Sequence, residues 1–336
     1  MELSRSVRGK FKEKRILVIG DIVADQFLSG TISRISREAP VFILRHDETD
    51  TFPGGAANAA ANVAALGGTP VLIGVIGNDD EGRQVSSALS GVNADSQFLL
   101  FSDRVRTTAK VRVLGGQQYG AKKQVLRIDY ENRKEIPGDI VAALIDNLRM
   151  AARDAVAIVI SDYGYGVCTA EVFEVALEVA EENKIPVLVD SRFRLNEFGG
   201  ARSATPNKEE AEALLDRAFD HADAETLRES LGFDSLLVTL GGDGMAIAVE
   251  GMPVEHIAAV GSDQPLDVTG AGDTVIAAYA LGLASDFSPY EAARIANHAG
   301  GIVVMKRGTA VASIAELEVS LEKDSQTATS ASPNEG

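Results

Sequence analysis

A glycine-rich stretch bounded by two carboxylates, Asp267 to Asp273, is the part of the sequence best suited to chemistry. Its glycines, Gly270 and Gly272, would let a ligand approach the backbone, and an Ala-rich segment that predicts a helix follows directly. The free N–H groups at a helix start bind anions, so Asp273 would lie beside a bound anion. A base at such a site is what phosphoryl transfer to a hydroxyl requires. An ordinary helix start, with Asp273 favouring the helix dipole and Asp267 acting as a cap, explains the same residues equally well.

A second glycine-rich turn, at Gly54 and Gly55, opens another predicted helix, Ala56 to Leu66. Asn58 and Asn62 are four residues apart in that segment, so both amides would project from one face. In an apolar helix these amides need hydrogen-bond partners. Sugar hydroxyls would serve, although nearby backbone groups are the commoner partners of such side chains.

Two later stretches could contact a nucleotide. Asn207 and Glu210 share a helix face and could hold hydrated Mg²⁺ near phosphates, but the pair also fits a helix capping box. Further on, a strand, a glycine-rich turn and a second strand predict a hairpin that leaves room for a nucleotide beside Thr239, Gly241 and Gly244. The sequence has no P-loop motif and no complete dinucleotide-binding motif, which excludes those two classes of nucleotide site.

The composition excludes several functional classes. The 336 residues include 32 Lys and Arg but 49 Asp and Glu, and the net charge of −17 argues against nonspecific nucleic-acid binding. The one cysteine, Cys168, cannot form an internal disulfide, and the four histidines have no metal-binding spacing. An uncharged run at 53–78 is interrupted by asparagines, glycines and a proline, so we predict no membrane span. The apolar run after the basic N-terminus is too short for a signal peptide, and we expect a cytoplasmic protein.

Strand and helix patterns alternate through most of the chain, which predicts a mostly parallel sheet with helices on both faces. Short apolar runs predict strands at 15–21, 71–76, 156–161, 187–190, 236–240, 245–249 and 254–259. Longer periodic segments predict helices at 56–66, 138–152, 169–183, 207–217, 223–231, 271–284 and 289–305. Amphipathic strands at about 41–53 and 107–129 do not fit inside such a sheet, so we predict that they form a small separate sheet, a lid. A single domain would span residues 1–322, and the polar residues 323–336 predict a disordered tail.

Together and in this order, these stretches resemble the ribokinase-like (PfkB) family of ATP-dependent carbohydrate kinases. The resemblance covers about residues 15 to 318 and is carried by the stretches at 54–67, 205–210 and 267–273. Within the family, residues 20–25, 33–41, 53–58, 125–129 and 161–163 are similar to the heptose 7-phosphate kinase domain of ADP-heptose biosynthesis. The resemblance implies a ribokinase-like α/β fold with a β-sheet lid. Because the lid often makes a dimer contact in this family, a homodimer through the lid is expected.

The resemblance implies roles for the residues that match. Asp273 would be the catalytic base, and the backbone amides of Gly270, Ala271 and Gly272 would bind the transferring phosphoryl group. Sugar hydroxyls would be held by residues of the N-terminal part, namely Asp25, Gly54, Gly55 and Asn58. A phosphorylated sugar would also need a cation, although each candidate could equally belong to a solvated strand face. The candidates are Arg34, Lys110, Arg112 and Arg127.

The nucleotide and ion sites follow from the same resemblance. Asn207 and Glu210 would position Mg²⁺–ATP, with the metal held through water. The residues expected beside the nucleotide are Thr239, Gly241 and Gly244. Asp267 and Thr269, together with carbonyl groups near 306–308, would form a monovalent-cation loop for K⁺.

The expected reaction is transfer of the γ-phosphoryl group of ATP to a hydroxyl of a sugar or sugar phosphate. The substrate expected in particular is D-glycero-β-D-manno-heptose 7-phosphate, which would be converted to the 1,7-bisphosphate. Two lysines of the heptose kinases are replaced here by Tyr165 and Arg192, and Lys and Arg are not equivalent at a phosphate site. Other substrates therefore stay open: fructose 1-phosphate, tagatose 6-phosphate, ribose or a nucleoside. A non-catalytic sugar or nucleotide sensor is a further alternative, which the intact Asp273 disfavours. The bifunctional relatives carry a nucleotidyltransferase domain with a His-x-Gly-His motif that this sequence lacks, so we expect kinase activity alone.

Overall fold

The computed structural model describes residues 2–92, 94, 96–117, 120–132, 135–262 and 264–330. Its strands are β1 (Arg15–Gly20), β2 (Ile22–Ile35), β3 (Phe42–Gly55), β4 (Thr69–Gly77), β5 (Leu99–Ser102), β6 (Thr108–Gly116), β7 (Lys123–Tyr130), β8 (Ala157–Asp162), β9 (Val187–Ser191), β10 (Ser203–Ala204), β11 (Ser235–Thr239), β12 (Met245–Val249) and β13 (Glu255–Ile257). Its α-helices are α1 (Glu2–Phe11), α2 (Ala56–Ala65), α3 (Asp80–Gly91), α4 (Gly138–Ala151), α5 (Ala170–Asn183), α6 (Lys208–Leu215), α7 (Asp223–Leu231), α8 (Ala271–Ala284), α9 (Pro289–Val303) and α10 (Ile314–Ser330). None of the helices in these ranges is both long and apolar enough to cross a membrane.

Nine strands form one sheet in the order β13-β12-β11-β10-β9-β8-β1-β4-β5. β1 lies inside this sheet and pairs in parallel with β4 and β8, whereas β12 pairs antiparallel with β11 and β13. The inner strands are continuous apolar runs, such as Ile16 to Ile19, because helices cover both of their faces. The prediction of a mostly parallel sheet flanked by helices is confirmed.

Each face of the large sheet has its own apolar core. One core joins α1, α2, α3, α8, α9 and α10 to the sheet, and the other joins α4, α5, α6 and α7 to it. α8 lies in the middle of the first core, where Val275 to Leu281 are buried. Its neighbour α2 is built almost entirely from alanine, and small side chains let the two helices pack closely. This packing brings the start of α2 next to the start of α8.

The second sheet has the order β3-β2-β6-β7 and contains both predicted lid segments. Two details differ from the prediction. No strand was predicted at β2, because Ile22, Val23 and Ala24 are consecutive buried apolar residues and the segment does not begin with the alternation that marks a half-buried strand. β3 is one continuous strand rather than two short ones, because the polar Asp47 in its middle is bound across the sheet by the Lys122 ammonium group at 2.9 Å.

The C-terminal segment also differs from the expectation. Residues 323–330 belong to α10, so the prediction of a disordered tail is wrong for them, and residues 331–336 lie outside the described part of the chain. Asp324 accepts a hydrogen bond of 2.6 Å from Arg294 and lies 3.5 Å from His298, both on α9. These contacts fasten a polar stretch to the domain although its composition is typical of a disordered segment.

Candidate active site

The glycine-rich stretch 267–273 forms the start of α8. Gly270 precedes the helix in the left-handed conformation, with a φ of 76°, and a Cβ atom at this position would overlap the side-chain nitrogen of Asn58. Glycine is the residue that adopts this conformation without strain and leaves room for Asn58. Because the first N–H groups of a helix lack intrahelical acceptors, this helix start is suited to an anion.

Asp273 lies in the first turn of α8 and is only 1% exposed. Its Oδ2 accepts a hydrogen bond from Asn58 Nδ2 at 2.9 Å, and its Oδ1 accepts one from the Tyr163 hydroxyl at 2.8 Å. Burial raises the pKa of Asp273 to about 7, and the two hydrogen bonds limit the rise because they stabilise the ionised form. This carboxyl group can therefore gain and lose a proton near neutral pH.

The predicted pair of asparagines lies on one face of α2, and both amides have protein partners. Asn62 Nδ2 donates to the backbone oxygen and to Oδ1 of Asn58, and Asn62 Oδ1 accepts from the backbone N–H of Ala312 at 3.2 Å. These bonds orient the Asn58 amide so that its nitrogen faces Asp273 and the carbonyl of Gly270. Asn62 therefore orients Asn58, which in turn donates a hydrogen bond to the carboxyl group of Asp273.

Two residues that build this centre were not assigned a role from the sequence. Tyr163 contacts Asp273 directly, and Asp21 holds the loop that carries Tyr163. The Asp21 carboxylate accepts backbone hydrogen bonds from Tyr163 and Tyr165 at 2.9 Å and from Val167 at 3.0 Å. Burial nevertheless raises the pKa of Asp21, and the three bonds oppose that rise. The sequence feature that could have identified Asp21 is its position directly after the buried apolar run of β1, because an acidic residue there lies at the carboxyl edge of the sheet.

A polar cavity of about 390 Å³ adjoins the start of α8. Its charged lining residues are Asp162, Asp190, Glu209, Glu210 and Arg192. Burial, and then the nearby charges of Glu210 and Asp273, raise the pKa of Asp190 well above its usual value. Asn207 and Glu210 exchange two hydrogen bonds of 2.9 Å, so the capping box interpretation of this pair is confirmed. Both residues also line the cavity.

The acidic lining fits a hydrated divalent cation. Within the described ranges, no group of three or more His, Cys, Asp or Glu side chains is placed to hold a metal ion. Mg²⁺ prefers oxygen ligands and keeps several of its waters, so the carboxylates of Asp190 and Glu210 suit it without surrounding it. A cation there would also relieve the repulsion between carboxylates that raises the pKa of Asp190.

A more apolar cavity of about 360 Å³ adjoins the polar one, and Thr239 and Gly272 line both. Gly241 and Gly244 line the apolar cavity in the turn between β11 and β12, which form the predicted hairpin. Gly244 has a φ of 90°, and a Cβ atom there would overlap the carbonyl oxygen of Ile257. A nucleotide, with a base that has apolar faces and a charged phosphate chain, matches two such adjoining cavities.

The lid contributes a buried carboxylate to the same region. Asp25 on β2 is 5% exposed and forms an ion pair with Arg112 of β6. A Cβ atom at Gly54 would come within 2.5 Å of the Asp25 carboxylate, so this glycine makes room for it. Gly55 has a φ of 59°, and a Cβ atom there would overlap the backbone oxygen of Asp21. The packing at the junction of β3 and α2 therefore requires both glycines, whether or not a ligand is bound.

Three of the four predicted cations lie together on the lid. Lys110 lies 5.2 Å from the centre of the Tyr163 ring, and Arg112 is two residues farther along β6. Arg127 of β7 is the register partner of Arg112, and paired residues project to the same face of a sheet. These side chains form what we call the cationic row: Lys110, Arg112 and Arg127. Within it, Arg112 is paired with Asp25 and Arg127 with Asp129, so Lys110 is the member for which no ion pair is found among the described residues. Arg34 is exposed near the far end of β2, beyond the residues that pair with β6, so the structure does not bring it to the row.

Asp267 ties the loop before α8 to the C-terminal part of the chain. Its carboxylate accepts backbone hydrogen bonds from Thr269 at 3.0 Å and from Gly308 at 2.9 Å. Burial acts to raise the pKa of Asp267, but these bonds outweigh it and leave the pKa below its usual value. Thr309 directly follows Gly308. Its hydroxyl is buried and has no hydrogen-bond partner among the described residues. A free buried oxygen near an ionised carboxylate is compatible with a monovalent cation.

The family of the chain follows from its match to known proteins. Residues 13–316 match the family described as pfkB family carbohydrate kinase. The chain belongs to this family. As a pfkB-family kinase it is an ATP-dependent sugar kinase, which confirms the resemblance found in its sequence.

Two of the most similar relatives of this pfkB-family kinase are longer than it is. It is 41% identical over 318 residues to the bifunctional protein HldE of Caulobacter vibrioides, a match that covers 91% of this chain and 63% of that protein. It is 36% identical over 320 residues to HldE of Pseudomonas aeruginosa strain LESB58, covering 94% of this chain and 65% of that protein. The chain therefore spans less than two thirds of the length of these relatives.

Solved structures share the fold of this pfkB-family kinase. Phosphofructokinase-2 from Escherichia coli in complex with substrates and products has a TM-score of 0.76 at 20% identity, covering 93% of this chain and 99% of that chain. Arabidopsis thaliana ribokinase complexed with ribose and ATP has a TM-score of 0.68 at 20% identity, covering 93% and 98%. The predicted ribokinase-like α/β fold is confirmed.

A sugar kinase must place the terminal phosphoryl group of ATP next to a sugar hydroxyl. In this pfkB-family kinase the two cavities meet at Thr239 and Gly272, and Gly272 directly precedes Asp273. Asn58, from the first glycine-rich motif, contacts Asp273 across 215 positions of the chain. The motifs that are scattered through the sequence therefore meet at one place.

Proposed function

We propose that this chain phosphorylates D-glycero-β-D-manno-heptose 7-phosphate and releases the 1,7-bisphosphate and ADP. The observation that carries the proposal is the cationic row on the lid, because a sugar that already bears a phosphate needs cations and an unphosphorylated sugar does not. The sequence resemblance to heptose 7-phosphate kinases and the 36% and 41% identity to HldE proteins support the choice of sugar.

Asp273 is the base in this proposal. It accepts the proton of the attacking hydroxyl while the hydroxyl oxygen bonds to the γ-phosphorus and the bond from that phosphorus to the bridging oxygen of ADP breaks. The backbone N–H groups of Gly270, Ala271 and Gly272 bind the negative charge on the phosphoryl oxygens. Transfer of this kind depends on positioning and charge neutralisation, and the buried carboxyl group and the helix start supply both.

ATP extends through both cavities. Its base lies in the apolar cavity beside Thr239, Gly241 and Gly244, and its phosphates lie in the polar cavity. Asn207, Glu210 and Asp190 would hold hydrated Mg²⁺, which would supply positive charge to balance that of the phosphates. The capping box uses Oε2 of Glu210, so the second carboxylate oxygen can serve the waters of the metal.

The sugar lies between the lid and the start of α2. Its hydroxyls are held by the residues with which the lid joins that helix, namely Asp25, Gly54, Gly55 and Asn58. Its phosphate contacts the cationic row. Asp267 and Thr269 would hold K⁺ in the loop that leads to the phosphoryl-binding amides, and the cation would help to order that loop.

We also propose that the lid forms a homodimer. Apolar side chains near the lid tip are exposed, Ile35 by 61%, Val41 by 54% and Phe42 by 56%. Exposed apolar groups of this kind mark protein–protein contacts, and a second copy of the lid would remove them from water. We further propose a cytoplasmic location, because the proposed reaction consumes ATP, and we propose that neither nucleic acid nor a membrane takes part in it.

The substrate proposal is tested by ADP release from ATP with a panel of phosphorylated and unphosphorylated sugars. We expect kcat/KM for heptose 7-phosphate to exceed that for unphosphorylated sugars by at least about 100-fold, because each charge-assisted hydrogen bond contributes about 1.5–3 kcal/mol. A preference for fructose 1-phosphate, tagatose 6-phosphate, ribose or a nucleoside would correct the substrate alone. Binding of ATP and sugar without ADP release from any sugar would instead favour the sensor.

The contribution of the cationic row is tested with Lys110→Met, which keeps an unbranched side chain one atom shorter and removes its charge. We expect kcat/KM for the sugar phosphate to fall about 10–100-fold relative to its value for an unphosphorylated sugar. Lys123→Met is the matched control, because Lys123 is an exposed lysine at the start of β7, opposite Gly115 and away from the row. An unchanged ratio of the two sugars in Lys110→Met would show that Lys110 does not contact the phosphate.

A further inference from the structure

Tyr163 lies between the lid and the titratable carboxyl group. Its hydroxyl is 2.8 Å from Asp273 Oδ1, and its ring lies beneath the ammonium group of Lys110. The ring also packs against the backbone at Gly55, where a Cβ atom would lie 3.5 Å from two ring carbons. Burial, and then the charge of Asp273, raise the pKa of Tyr163 well above its usual value. The hydroxyl therefore keeps its proton at neutral pH and acts as a donor.

The backbone around Tyr163 is held on both sides. Asp21 accepts the N–H of Tyr163 itself, as well as two more from the following residues of the loop. The carboxylate of the preceding residue, Asp162, accepts hydrogen bonds from Arg194 at 2.6 Å and from the Ser191 hydroxyl at 2.7 Å. Because the loop is fixed in this way, the position of the phenolic hydroxyl is set by the fold rather than chosen by a flexible side chain.

We propose that Tyr163 is a positioning residue for the base, and that by donating to Oδ1 of Asp273 it fixes the carboxylate and favours its ionised form. The inference rests on the proposed role of Asp273. Asn58 donates to one carboxylate oxygen and Tyr163 to the other, and each oxygen keeps a second lone pair that can accept the substrate proton. Hydrogen bonds to the charged form stabilise it relative to the protonated acid. Tyr163 thus lets a deeply buried carboxyl group remain a usable base.

Charged groups from several elements also act on Asp273. The negative charge of Asp25 from β2 raises its pKa, and the positive charge of Lys110 from β6 lowers it. Asp190 at the end of β9 is close enough for Asp273 to raise its pKa in turn. Tyr163 differs from these groups because it is neutral. Tyr163→Phe therefore removes one hydrogen bond and leaves the net charge around the base unchanged.

The test is the pH dependence of kcat/KM for Tyr163→Phe. The pKa of Asp273, about 7, places the midpoint of the acid limb near neutral pH in the wild type, since the base must be ionised. We expect this midpoint to rise by about one pH unit in the variant, because the ionised form loses a hydrogen bond. The rate would then fall about tenfold at pH 6 and less than about twofold at pH 9 from ionisation alone. A rate that falls by the same factor at every pH, with an unmoved midpoint, would overturn the proposal.

Tyr279→Phe is the matched control for the loss of a buried phenolic hydroxyl. Tyr279 is also buried, on the same helix as Asp273, but its hydroxyl pairs with Ser235 at 3.0 Å, so we expect the wild-type midpoint. A second readout does not depend on turnover: titration of the carboxyl ¹³C signal of Asp273, assigned by its loss in Asp273→Asn. An upward shift of that titration in Tyr163→Phe supports the proposal, and an unchanged one overturns it. Absence of sugar turnover in the wild type would contradict the proposed function alone.

Discussion

Replacing Asp273 by asparagine is expected to lower kcat by about 100-fold to 10,000-fold, because a positioned base contributes roughly 10²–10⁴-fold to proton transfer. Asparagine has nearly the same shape as aspartate but cannot accept the proton of the attacking hydroxyl. The apolar cavity lined by Thr239 and Gly244 does not include this carboxyl group, so we expect ATP binding to change by less than about threefold. ADP release measures the first quantity, and calorimetric titration with a non-hydrolysable ATP analogue measures the second.

Thermal unfolding is the control for Asp273→Asn, because the substituted residue is buried and lies between two hydrogen-bond donors. A variant that unfolds cooperatively and binds the ATP analogue like the wild type has kept its fold and nucleotide cavity, so its loss of turnover reports on the chemical step. Turnover within about tenfold of the wild type in such a variant is less than removal of a base would cause. That result would remove Asp273 from the role of base.

The large sheet was predictable because its inner strands are marked by composition alone. Arg15–Gly20 is a short apolar run that helices must cover on both faces, and it reads as a strand without knowledge of its neighbours. β2 carries no such mark: it lies in the lid, mixes polar with apolar residues and shifts register twice against β3. The polar stretch around Asp324 was likewise misread, because the contacts that hold it lie on another helix.

The loops of the site were predictable because binding chemistry restricts residue types locally. A helix start with Gly270 and a pair such as Asn207 and Glu210 can be found within a few residues of sequence. The contact of Tyr163 with Asp273 joins residues 110 positions apart, and that of Asp21 with Tyr163 joins residues 142 positions apart. Such contacts depend on which strands become neighbours in the sheet, and no local pattern encodes that order.

The net charge of −17 also has to be reconciled with anionic substrates. Bulk charge of this sign repels ATP and sugar phosphates, so recruitment must depend on local fields. The cationic row, the N–H groups at the start of α8 and the hydrated cation of the polar cavity would supply those fields where the phosphates lie. Burial, and then the charge of Arg192, lower the pKa of Lys110, whereas the carboxylates of Asp25 and Asp129 oppose that decrease. An anion bound next to Lys110 would favour its charged form.

Gly270→Ala is expected to lower kcat by about 100-fold or more, although the substitution adds one methyl group and touches no reacting atom. Alanine is strained at a φ of 76° by roughly 1–2 kcal/mol. The added Cβ atom would overlap Asn58 Nδ2, so the amide must leave Asp273 or the loop must move. Either change misplaces groups that act on the transferring phosphoryl group, and loss of one such donor costs about 10²–10³-fold in kcat. Steady-state ADP release measures the effect.

Gly232→Ala separates the two causes of that loss. Gly232 ends α7 with a φ of 75°, almost the value at Gly270, but a Cβ atom there would meet nothing within 4 Å. The two variants should therefore lose a similar free energy of unfolding from backbone strain, while Gly232→Ala keeps kcat within about twofold of the wild type. If Gly270→Ala also kept its kcat at equal loss of stability, the overlap with Asn58 would have no catalytic consequence. A selective loss of kcat in Gly270→Ala would instead show that this glycine is required to leave room for the donor to the base.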